Sequence, residues 1–263
     1  MPAGIDVRRA NVARVYDYLL GGSHNFLADQ DLGRSLLATD PSVRAIARAN
    51  RDFLGRAVRF IASGGVGQFL DIGSGIPTEG NVHEVAQRAR PDARVVYADI
   101  DPVAIAHSKA MLAGNPATAV IEADLRQPEK ILAHDTTRRL IDFSQPTGLL
   151  LVSVLPFIPD AEDPWRIVAA LRDALAPGSY LVVAHATDDS RPQVAQAAER
   201  VYNHSVSARA RMRPRADILR FFDGLELVDP GLVHLQQWRP DPPADVAGDA
   251  DRFWVLAGVA RKP

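Results

Sequence analysis

An α/β fold on a largely parallel sheet, preceded by a helical segment, is what this sequence predicts, and three observations carry the prediction. Short apolar runs alternate with helix-period segments from residue 68 onward. The stretch Gly148 to Leu155 is almost continuously apolar, as a strand buried on both faces requires. The run Gln68 to Ile72 leads directly into Gly73-Ser74-Gly75, a turn at the carboxyl edge of the first strand, where open sheets of this class bind ligands.

Residues 8 to 20 place Val12, Val15, Tyr16, Leu19 and Leu20 on one helical face that stops at Gly21-Gly22. A second helix is expected from Asp40-Pro41, read as an N-cap followed by proline at the first helical position. Its apolar stripe, from Val43 and Ile46 through Phe53 to Ile61, ends at Gly64-Gly65. Residues 1–66 therefore form a helical cap or lid and residues 67–263 the core, the two making one compact domain. After the strand at Gln68 come a helix near Val82 to Ala89, a strand Arg94 to Ala98 and a helix opened by Asp101-Pro102. Ala119 to Glu122 is the third strand, Gly148 to Leu155 the fourth. Asp163-Pro164 opens a helix through Leu175, and Pro177-Gly178 turns it into a fifth strand, Tyr180 to Ala184. Helices near Gln193 to Tyr202 and Ala216 to Phe222 follow. Leu225 to Val228 with Leu232 to Leu235 reads as one ragged strand and Phe253 to Val259 as the last, with a Pro/Asp-rich loop from Pro240 to Asp251 between them.

Composition narrows the function classes. A net charge of −2 gives no global attraction to nucleic acid or anionic membranes, so a small-molecule partner is expected. The chain has no cysteine, which excludes disulfides, thiolate metal sites and a cysteine nucleophile, and which fits a reducing cytoplasm. The first residues lack the apolar core of a signal peptide, and no apolar run reaches the ~20 residues of a membrane-spanning helix. Seven histidines and many carboxylates show no HExxH or comparable spacing, so no metal is expected.

The glycine turn selects among cofactors. A dinucleotide fingerprint needs a third glycine at position 78, where Thr78 stands behind Pro77. Asp71, two residues before Gly73, would repel a diphosphate and attract an ammonium or sulfonium cation; S-adenosylmethionine carries both. Asp99 ends the second strand 24 residues after Gly75, the distance at which a carboxylate can accept from a ribose diol, although alone it can also be a turn residue. Asp101 is an N-cap before Pro102. Asp124 ends the third strand and, with the backbone N–H of Leu125, can hold the amino edge of an adenine, or simply cap the loop.

This ordered set, Asp71-Ile72-Gly73-Ser74-Gly75, Tyr97-Ala98-Asp99-Ile100-Asp101-Pro102 and Glu122-Ala123-Asp124-Leu125, resembles the class I S-adenosylmethionine-dependent methyltransferases. The opening segment from Ala13 to Phe26 and the closing segments Phe221 to Leu232 and Gln237-Trp238-Arg239-Pro240 are similar to an actinobacterial methyltransferase family long catalogued as a domain of unknown function. The resemblance implies a Rossmann-like, seven-stranded sheet with its last strand antiparallel, and S-adenosylmethionine as cofactor. On it, Asp71, Gly73, Ser74 and Gly75 surround the methionyl part, Asp99 with Ile100 holds the ribose, Asp124 and Leu125 the adenine, and Ser153 and Val154 line the reacting centre. The chain departs from the family pattern twice. Ser23-His24 replaces the usual Lys-Asp before Asn25-Phe26, and Leu155-Pro156-Phe157 lacks the histidine that many relatives carry after the strand-four leucine.

Tyr16, Tyr18, Asn25 and Phe26 straddle the Gly-Gly break, which suits a lid over the cofactor; Tyr16 lies on the apolar stripe and reads as core, whereas Asn25 and Phe26 lie off it and are cofactor-site candidates. His24 and His185 are the nominees for a catalytic base, and His83 and His107 read as surface residues of helices. Arg209, Arg211, Arg213 and Arg215 read as a solvated loop or a clamp on an acidic acceptor. The function expected is methyl transfer to a small molecule, the alternatives being a catalytically silent cofactor-binding protein and an NAD-dependent oxidoreductase.

Overall fold

A computed structural model describes residues 6–78, 80–206, 209–241 and 252–263, so most of the loop expected over 240–251 lies outside the described residues. Three helices come first: α1 (Val12–Leu20), α2 (Leu27–Thr39) and α3 (Val43–Ser63). The alternating part runs β1 (Gln68–Ile72), α4 (Val82–Ala89), β2 (Arg94–Asp99), α5 (Pro102–Met111) and β3 (Thr118–Glu122). It continues through α6 (Pro128–Ala133), α7 (Asp135–Leu140), β4 (Gly148–Val152), α8 (Pro164–Asp173), β5 (Tyr180–Ala186), α9 (Pro192–Ser205) and α10 (Arg215–Leu219). Three antiparallel pieces close it: β6 (Glu226–Leu227), β7 (Val233–His234) and β8 (Val255–Arg261).

The strand order is β3-β2-β1-β4-β5-β8-β6, with β7 also pairing to β8. Strands β1 to β5 are parallel, and β8 runs antiparallel to β5 from Tyr180↔Arg261 to Ala186↔Val255. Among the described residues eight strands occupy seven places, because β6 and β7 share one edge of β8, at Leu227↔Ala260 and Val233↔Ala257. The ragged strand expected there is interrupted by a turn holding the cis Asp229–Pro230 bond and Gly231 at φ 86°.

Period-two alternation sorts the strand residues between two cores. Phe69, Val95, Leu150, Val182 and Val259 meet α3, the rest of the cap and α4, while Leu70, Val96, Leu149, Leu151 and Val183 meet the opposite layer around Ile131, Val168 and Phe221. Helix α3 is the strut of the first layer, with Phe53, Ala57, Val58 and Ile61 all fully buried. It begins later than Asp40-Pro41 suggested. Ser42 is the N-cap residue, and the Asp40 carboxylate lies in the preceding turn, accepting from Ser42 N (3.0 Å), Ser42 Oγ (2.7 Å), Trp254 Nε1 (2.9 Å) and Arg191 (3.0 Å).

The closing Gln237-Trp238-Arg239 segment is seated on α3. Trp238 is fully buried, edge-on to Phe53 and Phe60 at ring distances of 5.5 and 5.8 Å. Arg56 of α3 donates to the carbonyls of Trp238 (2.9 Å) and Leu235 (2.7 Å). Trp238→Ala should therefore lower unfolding stability by about 3–5 kcal/mol in urea titration; a loss below about 1 kcal/mol would show that this segment is not part of the core.

Candidate functional site

A cavity of about 270 Å³ opens at the carboxyl edges of β1, β2, β3 and β4, roofed by α1 and α3. Its floor is the turn after β1. Gly73 (φ 74°) and Gly75 (φ 68°) take left-handed backbone conformations that L side chains resist. A Cβ on Gly73 would lie 2.4 Å from Val154 Cγ2, so only glycine lets the loops after β1 and β4 touch; a Cβ on Gly75 would meet no atom within 4 Å. Between them the Ser74 hydroxyl lines the cavity, buried and without a hydrogen-bond partner.

Carboxylates stand around this turn. Asp99 is buried; one oxygen accepts from Gly75 N–H at 2.7 Å and the other from Asp101 N–H at 2.9 Å, while burial raises its pKa. Asp101 caps α5 through Val103 N–H (2.6 Å). Asp71 is also buried, and desolvation pushes its carboxyl up to about 7 against the opposing pull of Arg51 on α3. Asp124 is engaged within its own loop, accepting from Arg126 N–H and Nε at 2.9 Å, and Arg126 lies 3.6 Å from Glu162. Ile100, 52% exposed, presents an apolar side chain at the rim beside Asp99.

The far wall carries a hydrogen-bonded chain that links cap to sheet. Ser153 follows β4 at φ 59°, a strained conformation for serine, and its Oγ donates to Asn50 Oδ1 at 3.0 Å. Asn50 Nδ2 donates to Tyr16 Oη (2.9 Å), which donates to Ala47 O (2.9 Å). Tyr16, read from its position as core, is half-buried on its stripe and lines the cavity as well; desolvation raises its pKa.

Asp71, Gly73, Ser74, Gly75, Asp99, Ile100, Asp124, Leu125, Ser153 and Val154 all line this one cavity. Four expected residues do not. Asn25 is spent on Asp17 (2.8 Å) and Gly22 O (2.9 Å), and Phe26 packs with Ile76, Val103 and Ala104 behind the turn. His24 is on the surface, its ring 3.9 Å from that of His107. His185 is fully buried on the opposite face of β5, sharing the strand parity of Leu181 and Val183; its Nδ1 meets Ala186 O (2.7 Å) and its Nε2 meets Arg213 (2.8 Å). Two further expectations need correction. His83 is buried with Nδ1 2.8 Å from Tyr97 Oη. Arg213 is neither solvated nor a clamp: it is buried, donates to the carbonyls of Leu155 (3.1 Å) and Ile158 (2.6 Å) and to Asp160 (2.8 Å), and fixes the loop after β4.

Sequence reasoning missed Asn50 and Arg51. Asn50 falls on the apolar stripe of α3 between Ala47 and Phe53, and a polar residue at such a position was the available signal. Met212 and Tyr202, which complete the wall, carried no such mark.

A family profile described as S-adenosyl methyltransferase matches residues 1–263. A solved structure of a Thermobifida fusca candidate methyltransferase is 45% identical, covering 99% of this chain and 98% of its own, with a TM-score of 0.93. A Streptomyces avermitilis protein of the DUF574 family is 38% identical over 98% of this chain and 99% of its own, with a TM-score of 0.94. The N-methyltransferase NodS of Bradyrhizobium japonicum, solved with S-adenosyl-L-homocysteine, is 18% identical over 89% of this chain and 97% of its own at a TM-score of 0.51, a likeness of fold. No protein of the curated set matches.

Burial and the neighbouring Arg213 guanidinium hold the His185 imidazole neutral, with its pKa pushed down to about 3. The unfolded chain takes up that proton near the ordinary value of ~6.5, so this contribution to stability is complete above ~6.5 and erodes by up to about 1.4 kcal/mol per pH unit toward the folded pKa. Histidine NMR titration should show His185 neutral at pH 5. A midpoint above that pH would place the ring outside this enclosure.

Proposed function

The chain belongs to the S-adenosyl methyltransferase family, and from that premise we propose that it transfers the methyl group of S-adenosylmethionine to a small-molecule acceptor bound in this cavity. The observation that carries the reading is the Gly73–Gly75 turn pinned to buried Asp99 by the 2.7 Å hydrogen bond from Gly75 N–H. The donor set suits the cofactor: the partnerless Ser74 Oγ, the open approach over Gly75 and the buried Asp71 face one space. In this reading Asp71, Gly73, Ser74 and Gly75 hold the methionyl end, Asp99 accepts from the ribose hydroxyls, and Ile100 covers one sugar or base face. Asp124 and Leu125 bound the adenine end, for which the Asp124–Arg126 contact must share its acceptors. Asn25 and Phe26 act at one remove, Asn25 through the Gly22 loop and Phe26 by packing on Ile76 beside the turn.

When bound, S-adenosylmethionine would be held by Asp71, Gly73, Ser74 and Gly75 and would supply a sulfonium-activated methyl group for transfer to the acceptor. The protein's share is positional. Ser153 and Val154 set the height of the acceptor above the turn, and the α1–α3 roof excludes water, so rate comes chiefly from alignment. No described histidine or lysine lines the cavity, and Asp71 is the lining group with its pKa brought near neutrality. The replacement at Pro156, which lines the cavity where many relatives carry histidine, favours a second reading, a silent cofactor-binding protein. Turnover of S-adenosylmethionine in extract of the producing organism separates the two.

Calorimetry against S-adenosylmethionine, S-adenosyl-L-homocysteine and NADH tests the cofactor. The first two should bind, with Asp99→Ala raising Kd at least about tenfold, or about 1.4 kcal/mol; binding of NADH alone would overturn the reading. Binding of the cationic cofactor requires ionised Asp71. Affinity should therefore fall about tenfold from pH 8 to pH 6 as Asp71 takes up its proton, and Asp71→Asn should flatten that profile. A pH-independent Kd in the parent protein would remove Asp71 from the cation's contacts.

A further inference from the structure

The cavity is divided by charge. Among the described lining residues every charged side chain, Arg51, Asp71, Asp99, Asp124 and Arg126, is on or near the half over β1, β2 and β3. The half over the ends of β4, β5 and β8 is walled by Pro156, Phe157, Ala186, Met212, Trp254 and Val255, with no charged group among its described lining residues. Tyr202 joins this wall from α9, its ring edge-on to Phe157 at 5.4 Å and its pKa raised by burial, so it too stays neutral. A carboxylate or ammonium placed there would be desolvated without a partner.

The polar seam between the halves is the Tyr16–Asn50–Ser153 chain. The Tyr16 hydroxyl hydrogen is committed to Ala47 O and the Ser153 hydroxyl hydrogen to Asn50 Oδ1. What these two oxygens offer a guest is lone pairs. A guest that brings no donor leaves the Ser153 lone pairs without a partner, and one with an O–H or N–H engages them. The strained φ of 59° at Ser153 fixes that oxygen at the mouth of β4, where the two halves meet.

We propose that the acceptor is an uncharged, mainly apolar ring compound carrying one hydrogen-bond donor, seated on the Phe157–Met212–Trp254 wall with its donor on Ser153 Oγ. This rests on the methyltransferase reading for its functional meaning, but it concerns a half of the cavity that can be tested by binding alone. Trp254 is the one of the three tryptophans that lines the described cavity, so the part of the chain's fluorescence lost in Trp254→Phe reports occupancy.

The test titrates the full chain, with and without S-adenosyl-L-homocysteine, with three molecules of one shape: 2-naphthol, 2-methoxynaphthalene and 2-naphthoate. Naphthol should bind at least about tenfold more tightly than either of the others, equivalent to about 1.4 kcal/mol. Ser153→Gly keeps the left-handed backbone without strain and removes the hydroxyl; it should cancel naphthol's advantage over the methoxy compound and leave the rejection of naphthoate unchanged. Circular dichroism melting confirms that the variant is folded. Should that variant not fold, Met212→Lys serves instead and should reverse the order of naphthol and naphthoate. Equal or tighter binding of naphthoate to the parent protein, no binding of any of the three, or a Ser153→Gly preference identical to the parent's would overturn the proposal. Failure of S-adenosyl-L-homocysteine to bind while naphthol shows its preference would instead sink the cofactor reading and leave this one standing.

Discussion

Two carboxylates, Asp71 and Asp99, are held almost dry at the carboxyl edge of the sheet, and much of the architecture answers that constraint. Buried carboxylates need donors or cations close by. Asp99 is satisfied by the backbone N–H groups of Gly75 and Asp101, which demands a tight, left-handed turn after β1 and a helix start after β2. Asp71 needs the field of Arg51, which demands that α3 cross the edge at that point. With α3 in that position, α1 closes over it and the cavity acquires its roof.

The roof is fastened by buried polar groups. Arg14 on α1 lies between Asp29 (3.6 Å) and Asp101 (3.4 Å), so the first helix is tied both to α2 and to the cap of α5 next to Asp99. At the other end, Asp40 joins the turn before α3 to Trp254 and Arg191. Such pairs add little net stability when compared with apolar packing, yet removing one partner strands the other in the interior. They specify how the cap sits more than how tightly it holds.

Much of this was legible in the sequence where one physical rule dominated. The parallel strands declared themselves by apolar runs and the glycine turn, and Asp101-Pro102 and Asp163-Pro164 open their helices as capping chemistry requires. Helix α2 was not legible: it buries only one side through Leu32, Gly33 and Leu36, and Gly33 is there because Tyr18 packs against its backbone, a contact between two helices that no local pattern encodes. His185 could have been placed correctly. Residues 181 and 183 share its parity and face away from the cap, so the strand's alternation already turned the imidazole from the cavity. Arg213 could not, because its partners are carbonyls of a loop more than fifty residues distant, |i−j| being 58 for Leu155 and 55 for Ile158.

The cavity draws its walls from both extremes of the described chain: Asn11 to Tyr16 on one side, Trp254 and Val255 on the other. A chain emerging from the ribosome would thus have its glycine turn and Asp99 early, and would lack a closed chamber until β8 had cleared the exit tunnel and inserted beside β5. The chamber is complete only once β8 has been made. A chain cut short of β8 would carry the turn without the chamber, and any molecule seated in the chamber would bridge α1 and β8.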